Sequence, residues 1–351
     1  METPLDDRKA AILKAIVQDY VRQGEPVGSK RLVDTWGLGV SSATVRTEMS
    51  ALEEAGYIAQ PHTSAGRIPT DKGYRYFVDA LADDRQLTVE QRDALQGLLR
   101  ESNDLEDLLR RASQALSRLT RYAALVVAPA ITNSRLRHIE LVPLGPTNVL
   151  GVFIADTGRV EKKLLDLDAP VAEHDVARAR QVVNEAAAGL RTAQAPDVIG
   201  GVAAGAPAEL QSLLYGLADA VRDMASPTPG EQVIVGGTAN MAAPGYFDRL
   251  EQVHSVYETL EEQVIVLQML KDALDLGDPA VRIGHELPLV ELAACSVVAA
   301  RYDVAGSAMG SVGVLGPTRM DYPRTLAVVK AVASSIENAL SGIAGGGEPD
   351  A

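Results

Sequence analysis

The chain has 351 residues, a length typical of two or three domains, and its composition of 46% hydrophobic and 23% charged residues is that of a globular protein. A single cysteine, Cys295, excludes disulfides within the chain and any zinc or iron–sulfur site built on a cysteine cluster. The longest apolar runs reach about half of the ~18 residues needed to span a bilayer, and charged residues from Asp6 onward interrupt any signal-peptide core. We therefore expect a cytoplasmic protein without a membrane span.

The net charge of −14 is unevenly distributed and, taken alone, argues against a nucleic-acid partner. Residues 1–80 carry 10 Lys and Arg against 11 Asp and Glu, whereas the rest of the chain carries 23 against 36. A nearly neutral N-terminal region therefore precedes an acidic remainder. Charge by itself leaves a nucleic-acid partner open.

The first 80 residues show the order of a winged helix-turn-helix. Apolar residues at helical spacing and flanking turn residues predict helices at 6–22, at 29–36 with Ser29 as N-cap, from Ser41 or Ser42 to Ala55, and at 71–82. Two short extended pieces, 57–60 and 67–70, flank a loop rich in turn residues and predict a hairpin between the third and fourth helices.

The third helix is the candidate DNA-reading element. Val45, Met49 and Leu52 recur at helical spacing and predict its buried stripe, so its small polar residues and Arg46 face outward. Such a face can enter a major groove, although a solvated surface helix explains the same pattern.

The hairpin adds a cation to this surface. Arg67 lies between two prolines, and Lys72 and Arg75 follow about one helical turn apart; a stiff loop of this kind can carry an arginine to a phosphate or to the minor groove. The candidate DNA-binding residues are Lys30, Arg31, Ser42, Thr44, Arg46, Thr47, Ser50, His62, Thr63, Ser64, Arg67, Lys72 and Arg75.

A capping box, Thr88 with Gln91, opens the next helical region, where a heptad-like seam runs from Leu95 to Leu119. Gly97 and the polar residues after Ser102 interrupt this seam, so the region is either one helix or two. It packs on its own domain or serves as a dimer or lever helix.

Beyond residue 120 the pattern predicts an α+β domain interrupted by a helical insertion at about 168–228. Strands are predicted at 122–128, 136–144, 147–155, 159–167, 231–235, 292–301 and 309–315, and helices at 171–190, 207–225, 245–273 and 322–341. In this scheme strands near residue 150 pair with strands near 231 and 295. Residues 344–350 have the composition of a disordered tail.

The candidate metal-binding and nucleotide-binding motifs in the sequence lack the residue spacing that their chemistry requires. No two histidines have the spacing of a helical metal site, and the run from Gly24 to Lys30 lacks the spacing of a phosphate loop. The glycines Gly310, Gly313 and Gly316 lack a dinucleotide fingerprint, so tight packing or turns explain them better. Cys295 lies in an apolar run and is expected in the core. We expect no enzyme activity, no cofactor and no metal.

Several segments together resemble the heat-inducible transcription repressor family HrcA. They span nearly the whole chain, and the sixteen-residue hairpin match is highly specific. They are Val27-Gly-Ser-Lys30, Ser42-Ala-Thr-Val-Arg46, Gln60-Pro-His-Thr-Ser-Ala-Gly-Arg-Ile-Pro-Thr-Asp-Lys-Gly-Tyr-Arg75, Leu116-Ser-Arg-Leu-Thr120, Gly236-Gly-Thr-Ala-Asn240 and Val314-Leu-Gly-Pro-Thr-Arg-Met-Asp-Tyr322.

The resemblance implies a multidomain α+β protein with a winged helix-turn-helix domain (1–82), linker helices and the first part of a GAF-like domain (88–167), an inserted helical dimerisation domain (168–228), and the second part of the GAF-like domain (229–343). It also implies a homodimer that represses chaperone operons by binding an inverted-repeat operator in double-stranded DNA. A GroE-type chaperonin would maintain the active fold.

Two other functions compete with this one. A GAF-like domain can hold a ligand, which would make the protein a small-molecule-responsive regulator, and a ligand pocket leaves little trace in a sequence. An enzyme fused to a DNA-binding domain is disfavoured by the failed catalytic spacings.

Overall fold

The computed structural model describes residues 5–62, 66–81, 85–129, 134–225, 233–247, 249–275, 277–304 and 308–345. The helices are α1 (Asp7–Gln23), α2 (Ser29–Trp36), α3 (Ser42–Glu54), α4 (Asp71–Tyr76), α5 (Val89–Arg100), α6 (Leu105–Thr120), α7 (Glu173–Ala187), α8 (Ala195–Gly205), α9 (Ala208–Ala225), α10 (Leu250–Glu261), α11 (Gln263–Leu274) and α12 (Tyr322–Gly345). The strands are β1 (Ile58–Ala59), β2 (Ile68–Pro69), β3 (Ala123–Val127), β4 (Leu136–Pro143), β5 (Asn148–Ala155), β6 (Val160–Asp166), β7 (Val233–Gly236), β8 (Ala280–Ile283), β9 (Cys295–Val304) and β10 (Ala308–Pro317).

Residues 5–81, here called the head, contain α1 to α4 and the pair β1–β2. Helix α1 begins after Asp6, whose carboxylate accepts a hydrogen bond from the Lys9 backbone N–H at 2.9 Å, and ends at Gly24 with φ of 76°. The N-cap of α2 is Gly28, so the prediction that Ser29 caps this helix is wrong. Ser29 is instead buried in the first turn, where its Oγ lies 3.3 Å from Ser42 Oγ.

The predicted hairpin is present as a short antiparallel pair in which Ile58 lies opposite Pro69. Two backbone hydrogen bonds between Val27 and Arg67, at 2.8 and 2.9 Å, also join the end of the hairpin to the segment before α2. At Gly66 an added Cβ would lie 2.5 Å from the Val27 carbonyl carbon, so this close approach requires glycine. The hairpin is therefore held to the helices by its backbone.

Residues 85–345, here called the body, begin with two helices, which answers the question the sequence left open. Helix α5 ends at Arg100 and α6 begins after Asp104. The seam leucines Leu95, Leu105 and Leu109 are buried within this one chain. Leu98 of the same seam is 39% exposed, so intramolecular packing fills most of the seam and leaves this position open to solvent.

The body is built on a five-stranded antiparallel sheet of order β7-β3-β10-β9-β8. Alternate residues of β3 enter two different cores: Val126 faces the core that includes α6 and α12, and Leu125 faces the core that includes α11. Because successive side chains of a strand point to opposite faces of the sheet, β3 contributes to a core on each face, and helices pack on both faces. The first of these cores continues into the head without a break.

Residues 134–225 form a separate packing unit. The sheet β4-β5-β6 packs against α7 and α9, and α8 packs against these two helices. Phe153, Val183 and Leu214 share one core. The expectation that strands near residue 150 pair with strands near 231 and 295 is wrong, since Val127 of β3 is the residue that pairs with Val233. The expected boundary near 168 falls inside this unit, because the strands and the helices bury their apolar faces against each other.

Two elements escaped the sequence prediction. Helix α8 contains Gly200 and Gly201, which lower helix propensity, and β8 spans four residues, too few for a clear alternation. The predicted helical range 245–273 contains α10 and all of α11 except its last residue, Leu274.

The glycines of β10 confirm the prediction of tight packing. A Cβ on Gly313 would lie 2.8 Å from Leu270 Cδ2 and 2.9 Å from the Val298 carbonyl oxygen, and one on Gly316 would lie 2.7 Å from the ring of Tyr122. Neighbouring strands and rings therefore occupy the space of the missing side chains.

Candidate nucleic-acid interface

Helix α3 presents the predicted outward face. Val45, Met49 and Leu52 are buried at 0–3% exposure, which anchors the helix on the core of the head. The residues exposed on its other side are Ala43, Arg46, Thr47, Ser50 and Glu54. The buried stripe thus sets the rotation of α3 and leaves its small polar residues facing solvent.

The hydroxyl groups of this face are ordered by the helix itself. Thr47 Oγ1 donates to the Ala43 carbonyl and Ser50 Oγ donates to the Arg46 carbonyl, both at 3.2 Å. Thr44 Oγ1 lies 3.0 Å from the N-cap Ser41 Oγ. These bonds hold the hydroxyls close to the helix, so a groove floor could approach the backbone without steric conflict.

Arg46 is the cation of this exposed face, which also carries the carboxylate of Glu54 at the C-terminal end of α3. Its side chain is exposed, and no ion pair to it is found in the described part of the chain. Two other carboxylates of α3 are paired elsewhere: Glu48 pairs with Lys9 at 3.4 Å and Glu53 pairs with Arg67 at 2.8 Å. The guanidinium of Arg46 is therefore available to a base edge or a phosphate.

The first turns of α2 and α3 adjoin through the contact between Ser29 and Ser42. Lys30 follows Ser29 and is exposed. Arg31 has a different environment: its Nε lies 2.8 Å from Asp19 Oδ2, and the Asp19 side chain is only 3% exposed. A buried carboxylate needs such a partner, so the geometry gives Arg31 a structural role between α1 and α2.

The hairpin cation Arg67 is fixed against α3. Its Nε and Nη2 donate to Glu53 Oε2 at 3.1 and 2.8 Å, and the two side chains are 22% and 31% exposed. This pair orients the hairpin relative to α3. His62 is exposed at the start of the loop, and the predicted site residues Thr63 and Ser64 lie outside the described residues.

Lys72 and Arg75 are both engaged inside the protein. Lys72 Nζ donates to the Ala55 carbonyl at 3.0 Å, at the C-terminal end of α3, and lies 4.5 Å from the Tyr57 ring centroid. Arg75 Nη2 donates to the Val281 carbonyl at 2.6 Å, and its Nε donates to Glu286 Oε1 at 2.9 Å. In this structure Arg75 therefore faces the body, away from the α3 surface.

A contact between head and body was missed by sequence reasoning. His285 Nδ1 lies 2.7 Å from Asp71 Oδ2, whose oxygen also accepts the His285 backbone N–H at 3.0 Å. Together with the Arg75–Glu286 pair this contact forms what we call the clamp. Its partners are 211 and 214 positions apart in the chain, and no local sequence pattern signals such a pairing.

Within the described ranges, no cluster of three or more His, Cys, Asp or Glu side chains is placed to hold a metal ion. In the same ranges, no helix is both long and apolar enough to cross a membrane.

Comparison with known proteins identifies the family. The family model described as HrcA protein C terminal domain matches residues 106–326. The heat-inducible transcription repressor HrcA of Frankia casuarinae is 45% identical over 332 residues, which cover 95% of this chain and 98% of that protein. The repressor of the same name from Nocardia farcinica is 44% identical over 342 residues, covering 97% and 99%.

A crystal structure of a hypothetical protein shares the fold, with a TM-score of 0.62 at 22% identity, covering 97% of this chain and 99% of that one. The family model spans more than half of the chain, and the curated relatives match nearly its whole length. The chain therefore belongs to the HrcA family of heat-inducible transcription repressors.

Proposed function

We propose that the protein is a transcription repressor that reads an inverted-repeat operator in chaperone operons through α3. The observation that carries the proposal is the exposed face of α3, where Arg46 projects from a surface of small polar residues. The head is then a winged helix-turn-helix domain: α2 and α3 form the helix pair, and β1, β2 and their loop form the wing. A helix N-terminus with a free guanidinium suits both base edges and phosphates.

We further propose that the active species is a homodimer formed through the 134–225 unit. The buried face of its sheet packs against α7 and α9, and the opposite face has no covering layer in the described chain. Val142, Leu150 and Leu164 are cross-strand neighbours in one row of that open face, and Val142 and Leu164 are 40% and 50% exposed. An apolar row across three strands is typical of a surface buried by a partner.

We assign the other two domains from the same packing units. The five-stranded sheet with α6, α11 and α12 is the GAF-like domain, and the dimerising insertion lies between β3 and β7. Residues 134–225 then replace 168–228 as its proposed bounds, since β4 to β6 share their core with the inserted helices.

The test compares a whole inverted-repeat duplex with a half-site duplex by fluorescence anisotropy over a range of salt concentrations. A dimer binds the whole operator more tightly and with a steeper salt dependence, because it neutralises more phosphates. Leu164→Arg should abolish this advantage and give a monomer in sedimentation. Val290→Arg, at a position 82% exposed in the body, is the matched control. Equal affinity of the wild type for both duplexes contradicts the dimer.

We also propose that a GroE-type chaperonin sets the amount of active repressor. The central sheet supports this, because β3 pairs with β7 and β10, which the chain reaches only after the whole inserted unit. Non-local pairing of this kind folds slowly and exposes apolar strands meanwhile. The test is recovery of operator binding after dilution from denaturant, with and without chaperonin and ATP. Full spontaneous recovery within minutes contradicts the proposal.

A second candidate function, regulation by a small molecule, is favoured by one observation. A cavity lies between α5 and α12, next to the joint of head and body. The charged residues that line it are the cations Arg85, Arg92 and Lys330.

A further inference from the structure

A cavity of about 350 Å³ opens between the linker helix α5 and the last helix α12. On α5 it is lined by Arg92 and Gln96, which are one helical turn apart and share a face. On α12 the small side chains of Ala327 and Ala331 leave the space open. The residues that complete the lining are Arg85, Gln86, Leu87, Lys330, Ser334 and Ser335.

The charged side chains that line this cavity are all of one sign. Arg85, Arg92 and Lys330 line it, and no Asp or Glu is among the described residues that do so. This is a local reversal, because the chain as a whole has a net charge of −14. Three like charges around one cavity repel each other, and a bound anion would remove that repulsion.

The two helical cations are uncommitted. Arg85 Nη1 lies 3.3 Å from Asp321 Oδ2 and is partly neutralised. For the side chains of Arg92 and Lys330, both exposed residues, no ion pair or hydrogen bond is found within the described chain. They project from two different helices into one space, an arrangement that favours an anion able to contact both at once.

Neutral donors complete the lining. Gln86 and Gln96 carry amide groups, and Ser334 carries an exposed hydroxyl. Ser335 is already satisfied, since its Oγ donates to the Ala331 carbonyl at 2.7 Å. A cavity of this size holds a small molecule, at the lower end of the range of ligand sites in proteins.

We propose that the cleft between α5 and α12 binds a compact oxyanion with two or more negative charges, of the class of phosphorylated metabolites. The ligand would bridge Arg92 on α5 and Lys330 on α12 and so stiffen the helix that leads from the head into the body. A cavity of about 350 Å³ matches the size of a small molecule, whereas a duplex is bound through many phosphate contacts spread over an extended cationic surface. Ligand binding here is independent of whether the head reads an operator.

The test is isothermal titration calorimetry of the full chain with inorganic pyrophosphate at constant ionic strength, with thermal unfolding as a second measurement. We expect saturable binding at one site and a rise in the melting temperature. Arg92→Gln and Lys330→Gln should each weaken the affinity about tenfold, since each removes one charge-assisted contact. Arg100→Gln is the control, because it removes the same charge from the exposed last turn of α5 outside the cavity.

Two outcomes would overturn the proposal. One is the absence of saturable pyrophosphate binding in the millimolar range by a wild-type chain that melts cooperatively. The other is equal affinity of the wild type, Arg92→Gln and Lys330→Gln for pyrophosphate. If pyrophosphate fails to bind while these two variants flatten the salt dependence of operator binding, the cations contact DNA and the small-molecule site is rejected.

Discussion

Arg75 of the head and Glu286 of the body form an ion pair across the contact between the two, with Nε donating to Oε1 at 2.9 Å. Both side chains are 30% exposed. The carboxylate raises the pKa of Arg75 above its ordinary value, so this guanidinium is fully charged at every accessible pH. Arg75, which the sequence predicts to contact DNA, therefore holds α4 on the body in this structure.

We expect Glu286→Gln to loosen α4 by weakening the clamp. Because the Arg75–Glu286 pair is partly buried, its strength lies between those of exposed and buried ion pairs. If Glu286→Gln reduces the free energy of local opening by about 1.4 kcal/mol, protection of α4 from hydrogen exchange falls about tenfold. The measurement is deuterium uptake in peptides covering residues 66–81. Asp79→Asn is the control, since Asp79 contacts Arg75 within the same helical segment and is 59% exposed. Equal deuterium uptake in Glu286→Gln and Asp79→Asn would show that the clamp does not hold α4 on the body.

Arg46→Ala should reduce discrimination between operator and random DNA by about 1–3 kcal/mol, the range for a side chain that reads a base edge. The exposed position of Arg46 on α3 is the reason for this expectation. Competition binding with operator and scrambled duplexes measures it. Equal weakening on both duplexes would show that the orientation of α3 on DNA is different.

Arg67→Ala should weaken binding to all duplexes alike and flatten the salt dependence by about one unit, as expected for a phosphate contact. The structure adds a second variant, because Glu53 holds this guanidinium at 2.8 Å. Glu53→Gln should free Arg67 and strengthen binding to random DNA. A sequence-dependent loss in Arg67→Ala would instead assign Arg67 to base reading.

Glycine-to-alanine changes should have opposite effects at two positions. Gly313→Ala should destabilise the protein, since its Cβ would meet the Val298 carbonyl oxygen at 2.9 Å in the central sheet. Gly97→Ala should stabilise α5 by about 0.5–1 kcal/mol, because no atom lies within 4 Å of its Cβ and alanine favours a helix. Thermal unfolding followed by circular dichroism compares the two. A higher melting temperature for Gly313→Ala would contradict the close packing of Gly313 against β9.

Cys295 should be unreactive in the folded protein. Burial raises the pKa of its thiol to about 12, so at pH 8 the native side chain stays protonated and inaccessible. In the unfolded chain the thiol has a pKa of about 8.5. The contribution of the protonated thiol to the free energy of unfolding is therefore fully present below that pKa. It declines as the pH rises toward 12.

The check on Cys295 is its reaction with a chromogenic disulfide at pH 8, with and without urea. Labelling should follow unfolding. Cys295→Ala should lose part of the decline in melting temperature between neutral and alkaline pH. Rapid labelling of the native protein would place the thiol outside the core.

Much of the head could be read from local patterns. The apolar spacing of Val45, Met49 and Leu52 predicted both the existence of α3 and the side that faces outward, and the structure confirms both. Turn residues predicted the hairpin, and the capping box at Thr88 is present as expected. These features depend on residues a few positions apart, whose physics is contained in a short window of sequence.

Contacts between residues far apart in the chain could be identified only in the folded structure. The pairing of β3 with β7, the common core of β4 to β6 with α7 to α9, and the partners of Arg31 and Arg75 all join distant positions. An arginine in sequence is equally suited to a phosphate or to a carboxylate, and only the approach of Asp19 or Glu286 decides between them. The sequence by itself determined the family, the helices of the head and the outward face of α3, because local periodicity and specific motifs carry that information. The tertiary structure alone decided which cations are free for a ligand, because that depends on which carboxylates the fold brings within reach.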